Sequence, residues 1–225
     1  MNREVLEEIL EILQKINNIS ILECAKIVKA QSPKITAKEL SEILYDYSKK
    51  NNINISALDM GGVLLDKDIF PETKVDDLRA ILLDCGYKKE DVELALRYLY
   101  PIYIKVKATE KWHDTGIKLG KNEMAIIKYI SGTWTANPAN GMCKADGDFR
   151  YKAKIGYTMP GENEGALIAK LEDEKNVFLV GLKKEIVGVN KNLYLCINDD
   201  LDKRYGAGLD DNKGELNLEI KINLC

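Results

Sequence analysis

No stretch of this chain approaches the roughly 20 apolar residues that a membrane-crossing helix needs, and its formal charge of −3 supplies no field to draw in nucleic acid or an anionic lipid surface. Neither partner is expected. Histidine is almost absent: His113 stands alone, and Asp114 beside it would point to the opposite face of a strand. No Ser-His-Asp or Cys-His arrangement can be assembled around it, and a turn or surface position is expected. The five cysteines, Cys24, Cys85, Cys143, Cys196 and Cys225, form no CxxC pair and have no zinc-ligand spacing. Free thiols follow. Residues 1–18 read as a charged amphipathic helix, without the basic flank and apolar block of a signal peptide. The expectation is a cytoplasmic protein, with leaderless export left open.

What is present divides in two. Residues 1–101 are rich in Leu, Ile, Glu and Lys at helical spacing, whereas residues 102–225 alternate apolar and polar side chains and carry frequent glycine. In the first part Val5, Leu6, Ile9, Leu10, Leu13 and Ile16 make one apolar stripe, which Asn17 and Asn18 stop. Ser20 with Glu23, and Thr36 with Glu39, have the spacing of capping boxes. Thr73 and Asp76 mark a further helix start, Leu78, Ile81 and Leu82 its buried face and Gly86 its left-handed end. A last helix covers 90–98. The series Leu40, Ile43, Leu44, Asp46 matches Leu78, Ile81, Leu82, Asp84, a repeat that any two amphipathic helices would share. The expected role of this part is docking or oligomerisation.

Leu58-Asp59-Met60-Gly61-Gly62-Val63-Leu64-Leu65-Asp66 looks like the nucleophile segment of haloacid-dehalogenase-type phosphatases, in which an aspartate attacks phosphorus. That chemistry needs a parallel sheet with alternating helices, and here strands alone follow the helices. The alternative is a helix capped by Ser56, with both glycines serving close packing.

In the second part the expected strands are 102–108, 116–119, 123–130, 165–171, 177–182, 193–197 and 215–222. Short alternating segments divided by turn signals predict an antiparallel β-sandwich. The fold class is therefore α + β in separate domains, an all-α domain at 1–101 followed by a sandwich at 102–225. Trp134 and Trp112 are expected in its core. Between its last two strands lies an acidic loop with Asn198, Asp199, Asp200, Asp202, Asp210, Asp211 and Asn212. Carboxylates and amides on one loop are hard oxygen ligands suited to calcium. The same residues also suit a solvated turn.

Several phrases stand in order: Trp112-His113-Asp114-Thr115-Gly116-Ile117, Ser131-Gly132-Thr133-Trp134, Gly165-Ala166-Leu167-Ile168, Leu193-Tyr194-Leu195 before Asn198-Asp199, and Asp211-Asn212-Lys213-Gly214. Together they resemble the calcium-dependent galactophilic bacterial lectins, the PA-I or LecA-like family, over residues 102–223. The resemblance implies a jelly-roll-like sandwich that is not an enzyme and binds a galactose-like carbohydrate through Ca2+. It implies side-chain ligands at Asp199, Asp211 and Asn212 and backbone carbonyls at Asn137 and near Gly208. At the sugar rim, where the family has His and Gln, this chain has Tyr151 and Lys154, so galactose preference is not inherited. The expected carbohydrate contacts are Asn137, Tyr151, Lys154, Asp199, Asp200 and Asp211. The loop from Asp199 to Asp211 is longer than the family pattern, and the resemblance itself assigns no role to the extra acids Asp200, Asp202 and Asp210. Assembly into a homo-oligomer would supply avidity. The rival within this fold is a protein-binding sandwich with a structural ion or none.

Overall fold

The computed structural model describes residues 3–14, 19–173 and 175–225. It divides into two compact units, Met1–Tyr100 and Pro101–Cys225. The first is all α: α1 (Arg3–Gln14), α2 (Ile21–Gln31), α3 (Ala37–Lys50), α4 (Ala57–Leu64), α5 (Val75–Asp84) and α6 (Lys89–Leu99). Leu6, Leu10 and Leu13 of α1 are buried while Val5 is exposed, so the stripe is narrower than its spacing suggests. Ile16, Asn17 and Asn18 lie outside the described residues. Ser20 and Thr36 form the reciprocal bonds of capping boxes with Glu23 and Glu39. α5 differs. Its N-cap is Lys74, which makes no side-chain cap bond, because the Thr73 hydroxyl donates backwards to the carbonyl of Phe70 at 2.8 Å. Gly86, at φ +90°, ends the helix as expected.

Asp59 belongs to a capping box as well. Its carboxylate accepts from the Ser56 hydroxyl at 2.6 Å and from the Ser56 N–H at 3.2 Å, the work of an N3 acid at a helix start. Of the two glycines in this segment, Gly61 packs tightly, since a Cβ there would meet Leu99 at 2.5 Å, whereas Gly62 faces open space.

The second unit contains β1 (Ile102–Lys107), β2 (His113–Leu119), β3 (Glu123–Thr135), β4 (Asp148–Lys152), β5 (Asn163–Glu164), β6 (Leu167–Leu171), β7 (Phe178–Leu179), β8 (Lys183–Val187), β9 (Lys191–Ile197) and β10 (Lys213–Leu224). Two four-stranded sheets form, in the orders β1-β10-β3-β8 and β2-β9-β6-β7, with β4-β5 as a small third. All these strand pairs are antiparallel. Leu216, Leu218, Ile220 and Ile222 of β10 are buried, and Asn217, Glu219 and Lys221 between them are not, which is the alternation of a strand with one face on a core.

A bulge in β3 positions everything downstream of it. Asn217 pairs with Ser131, but Leu218 pairs with Tyr129, so Ile130 is left without a partner and is exposed. Side chains alternate with a period of two, and one extra residue therefore exchanges the faces beyond it. Ala125 and Ile127 face the core before the bulge; Trp134 faces it after. Trp134 is 0% exposed, and its indole N–H donates to the carbonyl of Gly165 at 2.7 Å. Gly132 must be glycine, because φ is +95° and a Cβ would lie 2.3 Å from the carbonyl oxygen of Glu215. Trp112 is not in the core. It is half-buried at φ +55°, with the Lys170 ammonium 4.6 Å above its ring.

Candidate functional site

The connection from β9 to β10 begins with three buried polar residues, Asn198, Asp199 and Asp200. Asn198 is wholly committed to structure. Its amide oxygen accepts from the Met159 N–H at 2.9 Å, and its amide nitrogen donates to the carbonyls of Met159 and Asn163 at 3.0 and 3.1 Å. The Thr158 N–H and hydroxyl both donate to the Asp199 carbonyl, at 3.1 and 3.0 Å. These bonds stitch the loop before β5 to the loop after β9.

Asp199 is 3% exposed. One of its carboxylate oxygens accepts from the Asp200 N–H at 2.6 Å and the other from the Asn212 amide at 2.9 Å. Burial pushes its pKa up to about 6; those two bonds oppose the rise, while the charges of Glu164 and Asp211 add to it. The Asn212 amide nitrogen also donates to the carbonyl of Ala108 at 3.1 Å. This fixes the amide's orientation and leaves its oxygen, Oδ1, without a hydrogen-bond partner although it is buried.

Asp200 organises the long loop. Its Oδ2 accepts from the Tyr205 N–H at 2.6 Å, and its carbonyl accepts from the Lys203 N–H at 3.2 Å. Burial would raise its carboxyl, but N–H donors from Arg204, Tyr205 and Asp202 outweigh that and hold it below the ordinary aspartate value. Its Oδ1 is buried and has no hydrogen-bond partner. Asp202 pairs with Lys111 at 3.2 Å and Arg204 at 3.5 Å, and Asp210 pairs with Lys203. Those two acids brace the loop from outside.

A cleft of about 120 Å³ opens between this loop and the end of β3. Asn137, Asp199, Asp200, Gly208 and Asp211 all line it, together with Ala136, Tyr157, Tyr205, Gly206 and Ala207. Asn212 sits one bond behind, through Asp199. Asn137 is turned by a local ring in which the Thr135 hydroxyl and the Asn140 N–H both donate to its carbonyl, at 2.7 and 2.9 Å. Tyr151 and Lys154 do not line the cleft. Tyr151 is exposed under the Arg150 guanidinium, 5.4 Å away; Lys154 is exposed on the adjoining turn, where its carbonyl accepts from the Tyr157 N–H at 3.1 Å. Tyr157 and Tyr205 stand where the rim residues were expected. Neither has a sequence signal, because both come to the cleft through loop geometry.

Calcium can be tested against this set. It takes carboxylate, amide and carbonyl oxygens, and the residues offer two buried oxygens without partners, on Asp200 and Asn212, beside a buried acid whose ionised form is disfavoured by two acidic neighbours. Among the described residues no group of three or more His, Cys, Asp or Glu side chains forms a metal cluster. The donor set that the resemblance implies is of a mixed kind, carboxylates of Asp199 and Asp211, the Asn212 amide oxygen and carbonyls at Asn137 and Gly208, and of these residues all but Asn212 line the cleft. His113 lies elsewhere, partly buried, with Nδ1 2.8 Å from the Glu110 carboxylate. The cysteines are free as expected.

No family model and no curated protein matches the chain. Among solved structures, it is similar to the EclA N-terminal domain, described as a PllA-like lectin, at 23% identity, over 55% of this chain and 98% of that one, with a TM-score of 0.41.

Proposed function

We propose that the sandwich of residues 102–225 is a calcium-dependent carbohydrate-binding module and not an enzyme. One observation carries the reading: in and directly behind a single cleft the chain buries Asp199, Asp200 and Asn212 at 3%, 2% and 4% exposure and leaves one oxygen each of the last two without a hydrogen-bond partner. An unsatisfied buried oxygen costs about 1–3 kcal/mol, a cost that a divalent cation held at Asn212 would offset there. Calcium would supply Lewis-acidic positions for sugar hydroxyls, while Asn137, Asp199, Gly208, Asp211 and Asn212 hold it. The ordered sequence phrases shared with galactophilic lectins support the same assignment, with a galactose-like sugar as the ligand to try first. At about 120 Å³ the cleft has room for an ion and a few oxygens, each water occupying about 30 Å³. A sugar would dip only hydroxyls into it.

Calcium titration read by thermal denaturation tests the ion, and a glycan array run with calcium and again with chelator tests the sugar. At calcium 100-fold above its Kd, stabilisation of about 2.7 kcal/mol is expected. Asp199→Ala should abolish it. Unchanged calcium stabilisation in that variant would refute the ligand assignment. Glycan binding that survives chelation would refute the role given to the ion. The phosphatase alternative finds no support, since Asp59 is spent on a helix cap and the described strand pairs are antiparallel.

A further inference from the structure

Two tyrosines at the mouth of the cleft are held in place by the backbone. Tyr205 belongs to the long loop after Asp200, is 60% exposed, and is fixed by its N–H bond to the Asp200 carboxylate at 2.6 Å. Its side chain lies against Gly156, where a Cβ would meet ring atom Cε2 at 2.5 Å and the hydroxyl oxygen at 2.9 Å and where φ is +108°. Only glycine fits there. Tyr157 stacks on Tyr205 with ring centroids 6.5 Å apart and planes inclined by 23°. Burial raises the Tyr157 hydroxyl, and the negative charge of the Glu164 carboxylate raises it further. Tyr157 is half-buried, with its N–H bonded to the Lys154 carbonyl at 3.1 Å, and Tyr205 stacks beside it.

The spacing of the rings decides what they can do. Carbon atoms in contact are about 3.5–4.0 Å apart, so a pyranose held between two rings would need about 8 Å from ring to ring by that measure, and the observed 6.5 Å excludes it. Tyr205 thus has Tyr157 beside it and keeps 60% of its surface exposed. Aromatic faces attract polarised C–H groups much as they attract cations, through the negative charge of the π face. Hexopyranoses of the galactose configuration carry a continuous patch of C–H groups on one face and vicinal hydroxyls on the ring edge.

Resting on the calcium-dependent reading above, we infer that Tyr205 is the stacking wall of the sugar site, with Tyr157 as its backing and Gly156 as its floor, and that it selects a hexopyranose with an uninterrupted C–H face. The ion takes the hydroxyl edge while the ring takes the apolar face. This division assigns a function to the longer loop: it brings an aromatic wall to a cleft that Asn137, Asp199, Asp200 and Asp211 also line.

The test is isothermal titration of full-length protein and variants with calcium, and then, in saturating calcium, with the methyl glycosides of β-galactose, α-mannose, β-glucose and α-fucose. The wild type is expected to bind the galactoside best. Tyr205→Ala should weaken it at least tenfold, Tyr205→Phe should stay within about threefold, and Gly156→Ala, which displaces the ring, should follow Tyr205→Ala. Calcium affinity should be unchanged throughout. Where Tyr205→Ala also weakens calcium, Tyr205→Leu keeps an apolar contact without the flat face, and it must then show the loss. Equal galactoside affinity in these variants and the wild type overturns the inference alone. Calcium binding without binding of any glycoside overturns the inference and leaves the ion site standing. Failure of the wild type to bind calcium overturns the underlying reading.

Discussion

Trp134 carries more of the sandwich than any other single side chain, being the largest that is fully buried, and it also satisfies the carbonyl of Gly165. Trp134→Ala should destabilise the second unit by about 3–5 kcal/mol, measured by urea denaturation, and Trp134→Phe by less, since it restores the ring but not the N–H. The thiols make a second prediction at this scale. Burial pushes Cys196 up to about 11 and Cys143 up to about 12, and it raises Cys24 and Cys85 as well. A neutral thiol is a poor nucleophile. Iodoacetamide at pH 8 should therefore label the exposed Cys225 first and the other four only on unfolding, as read by peptide mass spectrometry.

At the scale of elements, the capping boxes give the helical unit a signed response to pH. The backbone N–H of Ser20 first, and then its hydroxyl, hold the Glu23 carboxyl below its ordinary value; Thr36 does the same for Glu39. Because both carboxyls are lower in the folded helix than in the open chain, their stabilisation is complete above the unfolded value. It is lost as pH falls through the folded one, between about pH 5 and 3. Circular dichroism melts across that range should show the loss, and Glu23→Gln with Glu39→Gln should flatten it. Thr36→Ala should cost about 1 kcal/mol near neutral pH. Which elements could be read in advance has a physical explanation. β10 announces itself because Leu216, Leu218, Ile220 and Ile222 recur every second residue, and its burial follows suit. β8 does not. It is an edge strand whose Lys183, Lys184 and Glu185 all face solvent, and such edges trade pattern for protection. β4 is likewise almost entirely exposed. The Thr73 start failed because its hydroxyl found a nearer carbonyl, a choice that spacing does not encode.

For the whole molecule, a chain with two compact units should respond to calcium in one of them. Calorimetry of the full chain should show the ion shifting the transition of the sandwich and leaving that of the helical unit where it was; a shift of both equally would contradict a site confined to the cleft. The acidic residues around that cleft were visible as a cluster in the sequence, since Asn198 to Asp200 and Asp210 to Asn212 sit at two strand ends. Tyr157 and Tyr205 were not visible, because what joins them is a stacking contact between distant loops. The helical unit carries no comparable signal, and its charges pair locally, as Lys26 does with Asp66 and Asp68 at 3.0 Å each.

The three bonds of the Asn198 amide to Met159 and Asn163 make one mechanical body of two segments far apart in the chain. Whatever quiets the segment after β9 must also quiet the one that carries Gly156 and Tyr157. An ion seated on the acids would thus shield a remote stretch from a protease.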